Sequence, residues 1–349
     1  MKPLLAVETS CDDTSAAVLS PDGAVLSSVV SSQTAVHAPY GGVVPELASR
    51  HHLGNLPCVV EAALRGAGLA PPELGAVAAT AGPGLLGSVL VGLSYGKALA
   101  AGLGRPFYAV NHIVAHLRSP WMEHSSLPHP ALVLVVSGGH SHLFFCASPR
   151  ERLLVAATRD DAAGEALDKV AKHLGLPYPG GPWVDRLARR GNPRAVLLPL
   201  PRLSSGGLDY SFSGLKVSAL HHMNRHGLAP APAEDPEALP AWEYDLLASF
   251  QKRVVDHLLQ RVKQAARIFG PRTIAMAGGV ACNSLLRERI AALAVELGAT
   301  GAFPSPAYCT DNAAMVGFAA LDSYRAGAPS DLAADAFASC VWPGPTPAA

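Results

Sequence analysis

The stretch Leu4-Leu5-Ala6-Val7-Glu8-Thr9-Ser10-Cys11-Asp12-Asp13-Thr14-Ser15-Ala16-Ala17-Val18-Leu19 decides the fold. Leu4 to Val7 is apolar, Glu8 to Thr14 is a polar turn, Ser15 to Leu19 is apolar again, and Pro21-Asp22-Gly23 closes the pattern. Short apolar runs bounded by turn residues predict a strand, a polar loop, a second strand and a turn. The pattern returns later: Ala131 to Val136 is apolar, Ser137-Gly138-Gly139-His140 is a tight turn, and Leu143 to Cys146 reads as a strand. A further unit also recurs. In the first half it is the strand Ala76 to Ala79, the turn Gly82-Pro83-Gly84 and the helix Leu85 to Ala101. In the second half it is the strand Thr273 to Ala277, the turn Gly278-Gly279 and the helix Ser284 to Leu297. Identity between the halves is slight; the order of parts is what repeats.

Two such halves predict a two-lobed α/β protein with an inter-lobe cleft. The expected first lobe is 1–117 plus 310–340. The expected second is 118–309, with a helical insertion at about 160–240, and 341–349 is expected to be a flexible tail. Leu228 to Pro240 is rich in proline and reads as an exposed loop. A last helix, Asn312 to Ala326, is expected to take Thr310 or Asp311 as its cap. Glycine-rich turns at strand ends, backed by helix N-termini, aim backbone N–H groups into the cleft, an arrangement suited to phosphate.

With 349 residues, 49% hydrophobic and 15% charged, the chain can core two domains without disulfides. Its formal net charge of zero argues against broad electrostatic coating of a nucleic acid, which needs a basic excess, but leaves room for a local patch or a partner's surface. Cys11, Cys58, Cys146, Cys282, Cys309 and Cys340 are scattered without a CxxC pair and read as free buried thiols of a reducing compartment. Met1 to Glu8 has no signal-peptide pattern, so a cytoplasmic protein is expected. Leu74 to Gly96 is uncharged and long enough to cross a bilayer, but Gly82-Pro83-Gly84 breaks it, and it reads as a buried strand, turn and helix, with no membrane contact.

His112 and His116 are one helical turn apart, which sets both imidazoles on one face, able to chelate one metal. The pair alone is a weak signal in a chain with 14 histidines. A zinc peptidase needs Glu after the first His; Ile113 stands there, so the metalloprotease reading lacks its general base. A third ligand must come from elsewhere, and Asp311 is a candidate.

Several blocks together resemble one family. They are Val7 to Thr14, Tyr40 to Arg50, Thr80 to Leu85, Val136 to His140, Asp160 to Ala166 with Asp168-Lys169, Tyr178 to Pro182, Ser211 to Lys216, Met276 to Val280 with Asn283, and Cys309 to Asn312. In order and wording they are similar to the bacterial tRNA N6-adenosine threonylcarbamoyltransferases, from about Leu4 to Trp342. The resemblance implies an actin-like/sugar-kinase-like (ASKHA) fold with a duplicated mixed-sheet core. It implies transfer of threonylcarbamoyl from threonylcarbamoyl-AMP to N6 of adenosine 37, in the anticodon loop of tRNAs reading codons that begin with A. It also implies one divalent metal per subunit, iron(II) ahead of zinc(II), held by His112, His116 and Asp311. Val135, Val136, Ser137, Gly138, Gly139, Asp168, Gly181, Asp185 and Asn283 would hold the adenylate. A TsaB-like paralogue and a TsaE-like ATPase are the implied partners.

Two departures stand out. The family often has His-His-Met-Glu-Gly-His where this chain has Asn111-His112-Ile113-Val114-Ala115-His116, and Ser-Cys-Asp-Glu where it has Ser10-Cys11-Asp12-Asp13. Val114 and Asp13 each replace a glutamate. Asp12, Asp13 and His140 are the candidate catalytic residues, with either aspartate able to accept the N6 proton or to stabilise the turn. Arg186, Arg189, Arg190, Arg194, Lys252 and Arg253 are candidate tRNA contacts. A sugar or acyl kinase of the same fold has no need of the histidine pair, and a degenerate scaffold would be expected to lose it.

Overall fold

All five residues of β1 (Leu4–Glu8) are buried, as a strand covered on both faces requires. It pairs antiparallel with β2 (Asp13–Leu19), Ala6 lying opposite Ala17, and parallel with β4 (Ala76–Gly82). β3 (Val25–Ser32) adds to β2 and β5 (Phe107–Asn111) to β4, so the strand order is β3-β2-β1-β4-β5. Along β3 half-buried and exposed residues alternate, as expected of an edge strand with one wet face.

The second sheet has the same plan. β6 (Ala131–Val136), β7 (Ser141–Cys146) and β8 (Arg152–Ala157) form an antiparallel meander; β9 (Thr273–Ala277) lies parallel to β6 and β10 (Thr300–Ala302) parallel to β9. The order is β10-β9-β6-β7-β8. In each sheet the first strand has a meander on one side and two parallel strands on the other. The repetition of parts in the sequence is thus a repetition of hydrogen bonding.

The computed structural model describes residues 1–201, 207–227, 235–340 and 342. The tail expected at 341–349, Trp342 apart, and the first part of the proline-rich segment, 228–234, lie outside the described residues. The chain forms two compact units, Met1–Ser125 with the segment that begins at Pro304, and Ser126–Phe303. A boundary at 117/118 would cut α3 (His112–Arg118), and the first unit resumes earlier than 310. The reason is a tie between its two ends: Ser305 N–H donates to the Glu123 carboxylate at 2.6 Å.

In the first unit, Leu4, Ala6, Ala17 and Leu19 face α9 (Ala313–Arg325) through Ala313, Val316, Ala320 and Tyr324. Leu5, Val7 and Val18 face the other way, against Leu56 and Val60 of α1 (Pro45–Gly66) and Leu93 and Ala100 of α2 (Leu86–Leu103). This is the period of two that a strand imposes. By length and composition α2 could cross a membrane. One face of it packs on the first sheet, 33% of the helix being buried, and Thr9 Oγ1 donates to Ser88 O at 2.8 Å and accepts from Gly92 N–H at 3.1 Å. The N-cap of α9 is Asn312, whose Oδ1 accepts from Met315 N–H at 2.9 Å, and not Thr310 or Asp311. Only Cys146 and Cys309 of the six cysteines are buried; Cys11 and Cys282 are half-buried, and Cys58 and Cys340 are exposed.

In the second unit α4 (Ala163–His173), α5 (Gly180–Ala188) and α6 (Ser213–Arg225) lie between β8 and the long helix α7 (Ala241–Phe269), and α8 (Ser284–Glu296) follows β9.

Candidate active site

Asn111 ends β5 and caps α3, its Oδ1 accepting from Ile113 N–H at 2.9 Å and Val114 N–H at 3.1 Å. The cap makes His112 the first helical residue and brings His116 beneath it one turn on. Their rings lie 4.7 Å apart at 85°. Asp311, in the turn before α9, sets Oδ1 at 3.0 Å from His116 Nε2 and 3.5 Å from His112 Nε2. One ligand atom from each of the three residues falls within 4.8 Å of the others. Both histidines are buried and Asp311 is half-buried. Two imidazoles and one carboxylate converging on a point form a donor set suited to iron(II) or zinc(II). His116 Nδ1 is buried with no hydrogen-bond partner among the described residues.

Electrostatics agree with a place for positive charge. Burial works to lower the His112 pKa, but the Asp311 and Glu8 carboxylates outweigh it and hold it up to about 9. His116 goes the other way: burial lowers it, and Asp311 offsets only part of this. Glu8 was read from the sequence merely as the start of a polar turn. It is the last residue of β1, fully buried, with His112 Nδ1 at 3.0 Å from its Oε2. The signal that could have found it is a carboxylate ending a wholly apolar strand.

Asp12 and Asp13 enter β2 beside this cluster. Burial, with repulsion from Asp311, Asp12 and Glu8, pushes the Asp13 carboxyl up to about 7, although the Ser32 hydroxyl pulls it down. Asp13 Oδ1 is buried without a hydrogen-bond partner. A carboxyl that titrates near neutrality is suited to accepting a proton. Burial and the Asp12 and Asp311 charges push the Cys11 thiol well up, so it stays neutral. Behind the loop, His52 from α1 meets the Cys11 carbonyl at 2.9 Å through Nε2 and Thr14 Oγ1 at 2.8 Å through Nδ1.

The remaining expected residues belong to the second unit. Ser137 and His140 close their turn with Ser137 N–H to His140 O at 2.8 Å and His140 N–H to Ser137 Oγ at 3.2 Å. Gly138 and Gly139 at its tip are exposed. The N-terminus of α4 comes against this turn because residue 164 is Gly; a Cβ there would lie 2.5 Å from Ser137 O. Val135 and Val136 have fully buried side chains inside β6, so neither side chain can touch a ligand. Asp168 Oδ1 accepts from Gly181 N–H at 2.9 Å. Asp185 Oδ1 accepts from Ser284 N–H at 3.1 Å and Ser284 Oγ at 2.8 Å, at the start of α8. Gln251, which the sequence did not single out, joins Asp185 and Asn283, its Nε2 lying 3.0 and 3.4 Å from their oxygens. The nine residues expected at the adenylate thus form a turn and two short hydrogen-bonded groups.

Of the six candidate tRNA contacts, four have carboxylate partners. Arg186 pairs with Glu237 at 2.8 Å, Arg189 with Asp185 at 3.5 Å, and Lys252 and Arg253 with Asp256 at 2.5 and 4.0 Å. Arg190 lies over the Tyr244 ring at 4.1 Å. Asp256 is shared by Lys252, Arg253 and Arg289, and Arg190 has a ring rather than a carboxylate beside it, so positive charge remains there.

A half-buried histidine, His142, and a buried one, His257, set an acid limit on the stability of this unit. Burial pushes His142 and His257 down to about 4, the latter with help from Arg261. His257 Nε2 accepts from Ser211 N–H at 3.2 Å, which requires a lone pair. A depressed histidine contributes stability that is complete above the unfolded value near 6.5 and is lost as pH falls toward 4. The unfolding midpoint in urea is therefore expected to drop between pH 6.5 and pH 4, and His257→Gln to flatten that slope; an unchanged slope in the variant would remove His257 from the account.

The duplicated mixed sheets define a fold of the actin-like, sugar-kinase-like class, with a His-His-Asp cluster in the first unit. Solved structures support the fold: the 2-hydroxyglutaryl-CoA dehydratase component A of Acidaminococcus fermentans superposes with TM-score 0.55 at 14% identity, covering 94% of this chain and all of that one. HypF of T. kodakarensis gives 0.61 at 15% identity, over 93% of this chain and 48% of the other. Residues 24–318 match the family model TsaD, tRNA N6-adenosine threonylcarbamoyltransferase. Curated proteins of that name are similar almost throughout: that of Moorella thermoacetica is 46% identical over 92% of each chain, and that of Thermosipho africanus 43% over 95% of this chain and 98% of its own. The chain belongs to the tRNA N6-adenosine threonylcarbamoyltransferase family and is a transferase that modifies tRNA.

Proposed function

We propose that this chain moves the threonylcarbamoyl group of threonylcarbamoyl-AMP onto N6 of adenosine 37 in tRNAs reading codons that begin with A, releasing AMP. The observation that carries the reading is the convergence of His112, His116 and Asp311, the ligand set that the family resemblance calls for. These three residues would hold one iron(II) or zinc(II), iron first. Bound there, the metal would supply Lewis acidity toward the carbamoyl oxygen or an anchor for the threonyl part.

The chemistry asks little of a protein nucleophile, since AMP is a good leaving group. N6 attacks the carbamoyl carbon, the carbon–oxygen bond to phosphate breaks, and N6 loses a proton. Asp13 is the group to take that proton, because its carboxyl titrates near 7. The Ser137–His140 turn, with the exposed amides of Gly138 and Gly139, would bind the phosphate. Asp168, Gly181, Asp185 and Asn283 would orient the nucleoside, with Gln251 joining the last pair. His140 would flank the acyl-adenylate.

The target base lies in an anticodon loop, already unpaired, so little energy is needed to expose it. The neutral net charge favours a requirement for partners, a TsaB-like paralogue and a TsaE-like ATPase, in the cytoplasm.

The test is a transfer assay with purified protein, threonylcarbamoyl-AMP and unmodified tRNA, with and without partners, read by nucleoside mass spectrometry. Threonylcarbamoyladenosine should form and be lost in His112→Ala. No product with partners present would end the reading.

A further inference from the structure

We propose that Glu8 is the positioning residue of the metal site, fixing which nitrogen of His112 faces the metal. The inference rests on the metal reading above. Glu8 is fully buried at the end of β1. Three groups hold its carboxylate: Thr80 Oγ1 donates to Oε2 at 2.6 Å, Ser10 N–H donates to Oε1, and His112 Nδ1 lies 3.0 Å from Oε2. A carboxylate oxygen at that distance from an imidazole nitrogen needs a proton between them, since two lone pairs would repel. His112 therefore carries N–H on Nδ1, with Ser10 Oγ a second neighbour at 3.1 Å. Nε2 is left to face Asp311, 3.5 Å away. A carboxylate on the far nitrogen fixes a ligating imidazole's tautomer and orientation and raises its basicity toward metal. Among the described residues His116 has no such support, its Nδ1 being buried without a hydrogen-bond partner. The two ligands are thus unequal: His112 is anchored from behind and His116 is not.

Glutamine at position 8 keeps the shape but not the chemistry. Its amide oxygen goes to the Ser10 backbone N–H, which cannot reorient. Its NH2 then faces Thr80 and His112 Nδ1–H. The Thr80 hydroxyl can turn to accept; the imidazole N–H cannot. His112 must swing away or move its proton to Nε2, the nitrogen the metal needs.

The experiment uses full-length metal-free wild type, Glu8→Gln and Thr80→Val. Zinc affinity is measured by competition with a chromophoric chelator. Histidine-labelled, zinc-loaded protein is then examined by ¹H–¹⁵N NMR. Wild type should bind zinc with a slowly exchanging His112 Nδ1–H. Glu8→Gln should bind about 10–100-fold more weakly and lose that proton signal to exchange. The His52 ring signals should stay in place, which a general loss of folding would not allow. Thr80→Val, which keeps the carboxylate but removes one of its holders, should weaken binding about threefold or more. Its affinity decides the matter if Glu8→Gln does not fold, and an unchanged value overturns the proposal. Equal zinc affinity and an unchanged Nδ1–H in Glu8→Gln would overturn the role of Glu8 while leaving the metal site standing. Failure of wild type to take up zinc or iron(II) would overturn both.

Discussion

Replacing Asp311 by alanine is expected to lower threonylcarbamoyl transfer at least about 10³-fold, since loss of ~4 kcal/mol of charge stabilisation corresponds to that factor. Bound metal, measured by elemental analysis, should fall to near none. Among the described residues Asp311 Oδ1 is the one anionic atom within reach of both His112 Nε2 and His116 Nε2, so its removal leaves two imidazoles and no ligating carboxylate to hold a dication. Folding should survive. Asn312, not Asp311, caps α9, and Asp311 repels the Asp13 and Glu8 carboxyls. The melting temperature of the metal-free variant is expected within about 4 °C of wild type, the shift that ~1 kcal/mol brings to a unit of this size. A fully active, metal-loaded Asp311→Ala protein would remove the site assignment. Collapse of folding together with activity would mean that the carboxylate is structural.

Gly278→Ala is expected to produce the largest loss of stability. Gly278 follows β9 with φ of +91°, in the region that side chains avoid, and an added Cβ would lie 2.2 Å from Val136 O and 2.7 Å from Val136 C. These are backbone atoms of a central strand, so no rotamer change relieves the contact. Left-handed strain of ~1–2 kcal/mol and overpacking of ~1–3 kcal/mol act together, giving about 3 kcal/mol in urea unfolding. Val136 leads directly into the Ser137–His140 turn, so KM for threonylcarbamoyl-AMP should rise as well. Gly138→Ala is the matched control: a Cβ there meets nothing within 4 Å. It should leave stability unchanged and affect only KM, if the turn binds phosphate as proposed. Equal stability of wild type and Gly278→Ala would show that β9 can move away from β6 without cost.

Much of this was legible because it is local. Apolar runs closed by turn residues mark β1, β2, β6 and β7, and a strand's alternation needs only neighbours to be read. The spacing of His112 and His116 is a fact of one helical turn. The family blocks follow one another in order, and from them the sequence by itself determined the fold class and the family, and singled out the histidine pair of the candidate metal site.

Contacts across the chain were not legible. Glu8 looked like a turn residue because its partners, Thr80 and His112, are far away in the sequence. Asp311 was read both as a cap and as the candidate third ligand, and its distance from the histidine pair appears only when α9 packs on β1 and β2. Asp12 and Asp13 were equivalent on paper; that Asp311 and Glu8 lie close enough to raise the Asp13 carboxyl appears only in the folded chain. Arg186 and Arg190 looked available until the fold brought them to Glu237 and Tyr244, whereas Arg189 and Asp185 are already one helical turn apart in the sequence. Periodicity and motif order depend on the residue and its near neighbours, and the sequence determines them alone. Burial, tautomer and ion pairing depend on which distant groups share a small volume, and only the tertiary structure decides that.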